Sequence, residues 1–145
     1  MIPNKCVYRV ETRTGEAFWM RRTTATTDYL KESMGTALLE LMQEKPLEKI
    51  SIEEMTAKAD VGRSTYFRYF KSKDEVLSFK LLCLWKRFSA QRGVDGIARV
   101  RPEDIQALFE FCLSIRPVFD LLYASGHQDV ILRFYLQGAA PVIAQ

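Results

Sequence analysis

From residue 27 onward, apolar positions recur every three to four residues. In "TTDYLKESMGTALLELMQEKP", Leu30, Met34, Ala37, Leu38, Leu41 and Met42 share one helix face, with Thr27 or Asp28 placed to cap it and Pro46 to end it. "SIEEMTAKA" follows, with Ser51 and Glu54 at capping-box spacing and a short apolar stripe of Ile52, Met55 and Ala59. Asp60-Val61-Gly62 interrupts that pattern, and a third, short helix is predicted from about Arg63 to Phe70. Ser72 and Glu75 repeat the capping-box spacing and open a long helix through Leu77, Leu81, Leu84, Trp85 and Phe88.

A connector over 93–101 leads to Pro102, Glu103 and Asp104, residues suited to a first helical turn, with Ile105, Leu108, Phe109 and Cys112 as the expected inner face. Arg116-Pro117 opens a further helix through Phe119, Leu122 and Tyr123 that ends at Ser125-Gly126, and a last helix runs from about Gln128 to Gln137. The first 26 residues differ. "CVYRVETRTGEAFW" alternates weakly and Thr14-Gly15 can turn a hairpin, but two strands alone are marginal in water, so this part is expected to be a poorly ordered or hairpin extension. The predicted class is all-α, divided into the extension 1–26, a helical unit 27–73 and a second helical region 74–145.

Charge changes this picture locally, because the total of +3 says little about partners. Residues 1–92 carry 17 Lys/Arg against 12 Asp/Glu, a net +5, whereas 93–145 carry 4 against 6, a net −2. Between Gly62 and Lys73 there are four cations and no acid, a patch that attracts phosphates whatever the net charge. Three cysteines at wide spacings, Cys6, Cys83 and Cys112, fit neither a disulfide framework nor a paired zinc motif, and reduced thiols in a cytoplasm are the expectation. No apolar run is long enough to span a bilayer, and no secretory leader is recognisable.

Two short helices joined by a glycine-containing turn outline a helix-turn-helix, whose second helix enters the major groove of DNA. Tyr66 and Phe70, one turn apart, are expected to face the core with Val61. That leaves Arg63 with Phe67, and Thr65 with Tyr69, for a partner. Arg63 can pair with a guanine edge, Ser64 and Thr65 can hydrogen-bond bases or phosphates, and Phe67 can touch a thymine methyl. Lys71 and Lys73 flank the start of the next helix, where free amides also favour a phosphate.

The run Thr65-Tyr66-Phe67-Arg68-Tyr69-Phe70-Lys71-Ser72-Lys73-Asp74-Glu75-Val76-Leu77 resembles the end of the DNA-binding domain of the tetracycline-repressor (TetR) family of bacterial regulators. The resemblance is close over residues 30–88 and looser beyond. It implies that Arg63, Ser64 and Thr65 face bases, that Tyr69 and Lys73 hold phosphates, and that Ser51 and Thr56 lie near the DNA backbone. Two positions depart from the family pattern: Gly62 stands where a capping serine is frequent, and Phe67 where a tyrosine is usual. The resemblance further implies a repressor that binds a palindromic operator in double-stranded DNA as a homodimer and is released by a small hydrophobic or aromatic ligand. The ligand-binding and dimerisation region looks cut short, and a weak dimer through residues 134–145 is expected, with Tyr135, Leu136, Val142 and Ile143 around Gly138, Ala139 and Ala140.

Trp85, Phe88, Phe109, Cys112, Phe119 and Tyr123 are candidates for an effector pocket, although at helical spacing such residues also make plain core. His127 reads as a loop or helix-start residue. No pair among Cys83, Cys112 and His127 has metal-ligand spacing, and no cofactor is expected. With one histidine and no nucleophile motif, the sequence supports no enzyme. The alternative to a DNA-binding regulator is a helical protein-interaction or coactivator-type module that keeps the helix-turn-helix shape without an operator.

Overall fold

The computed structural model describes residues 7–11, 17–21, 24–92 and 102–136. Two short strands come first, β1 (Val7–Glu11) and β2 (Ala17–Arg21), antiparallel with Val7 opposite Arg21 and Glu11 opposite Ala17. The Thr14-Gly15 turn lies outside the described residues, as do the connector 93–101 and the proposed pairing residues Gly138, Ala139, Ala140, Val142 and Ile143. Apart from this hairpin the regular structure described is helical, so the chain belongs to the all-α class.

Helix α1 (Thr24–Met42) begins earlier than its sequence cap suggests, leaving Thr27 and Asp28 inside the first turns. Its inner face is the one its periodicity predicts, with Leu30, Met34, Ala37, Leu38 and Met42 buried and Leu41 half-buried. A 3-10 turn (Leu47–Lys49) buries Leu47 and leads into α2 (Ile52–Lys58), then α3 (Arg63–Tyr69) and the long α4 (Lys73–Arg92). These elements close over one apolar core that also takes in Ile50, Met55, Val61, Tyr66, Phe70, Val76, Leu77 and Leu81. Each fully buried side chain of this kind stabilises the fold by about 1.5–3 kcal/mol.

The second half of α4 belongs to another set of partners, α5 (Pro102–Ser114), α6 (Arg116–Ala124) and α7 (Gln128–Phe134). Phe111 is the centre here, with ring centroids 5.3 Å from Trp85, 5.5 Å from Phe88 and 5.8 Å from Phe134. The inner face of α5 differs from expectation. Ala107 and Phe111 are buried and Leu108 and Cys112 half-buried, while Ile105 and Phe109 point outward with Leu113. Apolar residues occupy both sides of this helix, so periodicity alone could not choose the buried one.

Gly126, with φ of 81°, closes α6 in the left-handed conformation glycine accepts, and His127 then starts α7. The His127 side chain is largely buried, with Nε2 3.3 Å from Glu48 Oε1 and Nδ1 3.8 Å from Asp74 Oδ1. The junction of α6 and α7 thus rests against both the 3-10 turn and the beginning of α4.

Helices α1 and α4 cross where Gly35 has no side chain. A Cβ at that position would stand 2.6 Å from Lys80 Cβ and 3.4 Å from the Val76 carbonyl oxygen. Beside the crossing, Glu32 Oε1 accepts from Lys80 Nζ at 2.8 Å and also pairs with Arg87, and burial lowers the Lys80 ammonium below its ordinary pKa. Gly35→Ala is therefore expected to destabilise the fold by about 1–3 kcal/mol despite its better helix propensity, because the two helices must part. Urea unfolding followed by circular dichroism measures it; an alanine variant as stable as the parent would show that the crossing yields easily.

Candidate nucleic-acid interface

The segment from α2 to α3 is built by local bonds that its sequence supplies. Ser51 Oγ accepts from the Glu54 amide at 3.1 Å, and the Ser51 amide donates to Glu54 Oε2 at 2.9 Å, the reciprocal box expected from the spacing. Glu54 also holds Lys45, and these bonds, that of Lys45 first, keep its carboxyl below the usual carboxylate range. After α2 the chain reverses through Asp60, which takes the left-handed conformation at φ 53°. The Val61 amide donates to the Thr56 carbonyl at 2.9 Å, and Gly62 caps α3 with no side-chain bond. Its backbone is ordinary extended geometry, and a Cβ there would meet only Ser64 Oγ at 3.7 Å.

Helix α3 turns Tyr66 and Phe70 inward beside Val61, as expected. Burial raises the Tyr66 hydroxyl pKa, with smaller pushes from Glu75 and Asp74. Its outer face carries Arg63, Ser64, Phe67 and Arg68, and Phe67 is 59 % exposed. Arg63 is held at two points: Nη1 donates to Glu53 Oε1 at 2.9 Å, and the guanidinium lies 5.8 Å from the Phe67 ring centroid. Tyr69 borders this face, with Lys31 Nζ 5.6 Å from its ring. Lys71 is exposed, and its amide donates to Glu75 Oε2 at 2.8 Å. The second capping box is therefore displaced by one residue: Ser72 Oγ accepts from the Glu75 amide at 3.3 Å, but the carboxylate answers Lys71 instead of Ser72.

The candidate effector residues do not converge. Trp85 is buried and stacked with Phe88 at 6.3 Å, and Cys112 and Phe119 are half-buried, all within or against packed core. Phe109 and Tyr123 are 67 % and 66 % exposed and face solvent. One cleft of about 450 Å³ lies instead among Tyr29, Glu32, Lys58, Lys80 and Arg87, and another of about 430 Å³ among Tyr69, Phe79, Leu82 and Arg133. Neither touches the six candidates. Burial raises the thiol pKa of both Cys83 and Cys112, which makes them poor nucleophiles and poor ligands. Among the described residues no group of three or more His, Cys, Asp or Glu side chains could hold a metal ion.

Three expected DNA contacts need correction. Thr56 is only 2 % exposed and donates its hydroxyl to the Ile52 carbonyl at 2.8 Å, inside its own helix. Thr65 is 3 % exposed and faces inward with its neighbour Tyr66, because α3 turns a broader face to the core than two residues one turn apart indicate. Lys73 turns back into the protein, donating to the Leu47 carbonyl at 2.5 Å and the Ile50 carbonyl at 2.8 Å. Sequence reasoning also passed over Glu53 and Lys31, whose relevance depends on contacts across helices. Charge-assisted bonds of this kind contribute about 1.5–3 kcal/mol. Lys73→Ala should therefore lower unfolding stability by that order, measured in urea. An unchanged midpoint would return Lys73 to the phosphate-binding set.

The arrangement is a helix-turn-helix with two cations, Arg63 and Arg68, the Ser64 hydroxyl and the Phe67 ring exposed on its second helix. The family model of bacterial regulatory proteins, tetR family, matches residues 36–78, from the middle of α1 to the first turns of α4. Neither a curated protein nor a solved structure matches the chain. The matched segment takes in α2, the turn and α3, and over these residues the chain is similar to the bacterial regulatory proteins of the tetR family.

Proposed function

We propose that the protein is a sequence-specific repressor that acts in the cytoplasm by occupying a palindromic operator as a homodimer. The observation that carries the reading is the outer face of α3, where Arg63, Ser64 and Phe67 stand together on a helix whose other side is anchored in the core. Arg63 supplies a fork for guanine and Phe67 an apolar contact for a thymine methyl. Tyr69 and Lys71 at the end of α3 and Ser51 at the start of α2 serve phosphates, which position the helix without reading sequence. No described helix is long and apolar enough to cross a membrane.

Pairing of two copies draws support from apolar surface on the second helical set. Ile105, Phe109 and Leu113 form an exposed stripe along α5, and Leu132, Tyr135 and Leu136 are exposed on and just beyond α7, leading into the segment 134–145. A two-fold dimer sets its recognition helices one DNA turn apart, about 34–36 Å. Release by a small apolar or aromatic ligand requires the rings of Trp85, Phe88 and Phe111 to part, and α4 would carry that motion toward α3. Such a ligand must bind the released state more tightly than the DNA-bound one.

Binding of duplex DNA from beside the protein's own gene, at two salt concentrations, tests the reading. Affinity should fall steeply with salt, and Arg63→Ala should cost about 1–3 kcal/mol on the preferred duplex while sparing random DNA. Equal loss on both duplexes would remove Arg63 from the reading role. Failure to bind any duplex would favour a protein-interaction module.

Sedimentation across a concentration series tests the assembly. A dimer weakened by Phe109→Ser or Leu136→Ser is expected, and a strictly monomeric chain that still binds a palindrome tightly would place the interface elsewhere.

A further inference from the structure

Glu53, in the first turn of α2 with Glu54, sets a carboxylate directly against the Arg63 guanidinium of α3. Its side chain is 71 % exposed and that of Arg63 57 %, with 2.9 Å between Oε1 and Nη1. An ion pair this open to water adds little to stability, so holding α2 against α3 is a weak account of it. A carboxylate here also opposes the phosphate backbone, which lowers affinity for every duplex alike. Both facts become intelligible if the residue acts on the difference between sequences.

Arg63 has five N–H donors in a rigid fork on a flexible stem. Glu53 takes up one end of that fork and the Phe67 ring supports its plane, so the remaining donors keep one direction before DNA arrives. A guanidinium held this way loses less freedom when it meets the O6 and N7 of guanine than one that swings free. The carboxylate meanwhile penalises registers that bring a phosphate or an acceptor edge against α2, and accepts only from a donor such as the cytosine amino group.

We infer that Glu53 is a specificity-determining residue, which orients Arg63 toward a base edge and lowers the affinity for all other sequences. The inference rests on the DNA-binding reading above. The test uses the full chain and its Glu53→Ala and Glu53→Gln variants, each checked for fold by circular dichroism. Binding sites are selected from a pool of randomised duplexes, and affinities are then compared on selected and random DNA.

Glu53→Ala is expected to bind random duplex more tightly than the parent. Its ratio of selected to random affinity should fall at least about fivefold, the lower end of what one base contact discriminates. The base preference it loses should be the one that Arg63→Ala loses. Glu53→Gln, which keeps an acceptor for Arg63 without the charge, should gain random affinity while keeping more of that preference. An alanine variant with the parent's ratio and preference, or a glutamine variant no tighter on random DNA, would overturn the inference. A parent protein that selects no sequence at all would be a different result, one that removes the DNA-binding reading itself.

Discussion

The placement of α3 depends on one ammonium. Lys73, the first residue of α4, donates to the carbonyls of Leu47 and Ile50, which bracket the turn just before α2. The beginning of α4 is thereby joined to the beginning of α2, and the chain between them, including all of α3, is a closed loop with fixed ends. A helix of seven residues has no stability of its own in water, since nucleation costs more than so few hydrogen bonds return. Its orientation is inherited from the closure and from the three side chains it buries beside it, Val61, Tyr66 and Phe70. The outward direction of Arg63 follows from that inward anchoring.

The same end of α4 receives the other half of the molecule. Asp74, next to Lys73, and Glu48 in the 3-10 turn are the two groups that His127 approaches, so the start of α7 rests on the joint that Lys73 closes. Among the described residues Asp74 Oδ1 and His127 Nε2 are buried without a hydrogen-bond partner, which makes this contact costlier to bury than the apolar core around it. Further along α4, Trp85 and Phe88 pack on Phe111. The two helical sets thus share one rigid helix at both of its ends.

Much of this was legible in the sequence where a signal is local. The Ser51–Glu54 box, the break at Asp60-Val61-Gly62, the inner face of α1 and the inward pair Tyr66 and Phe70 all rest on residues a few positions apart, within the reach of helical periodicity and capping chemistry. What escaped depends on partners distant in sequence or on small rotations. Lys73 reads as a cation for phosphate until Leu47 and Ile50, more than twenty residues earlier, are seen beside it. Thr65 and Thr56 show how little separates the faces of a two-turn helix, where one residue is a rotation of 100°. On α5 the apolar residues on both sides gave the period no means of choosing between core and surface.

The exposed chemistry divides cleanly between the two halves. Around α3 the outer face is cationic and aromatic, and its charge is partly answered from a neighbouring helix, Arg63 by Glu53 of α2, while Lys31 beside it pairs within α1 with Asp28 at 4.0 Å. Along α5 and α7 large apolar side chains are exposed, Phe109 and Leu113 on the first and Leu132 on the second. Water tolerates the first arrangement at little cost because ions remain hydrated, whereas it penalises the second in proportion to its area. The two surfaces therefore respond to different conditions. Salt weakens whatever the cationic face holds, and leaves apolar association intact. Because both sets of helices pack on α4, the cationic face and the apolar face are carried by one framework while answering to different conditions.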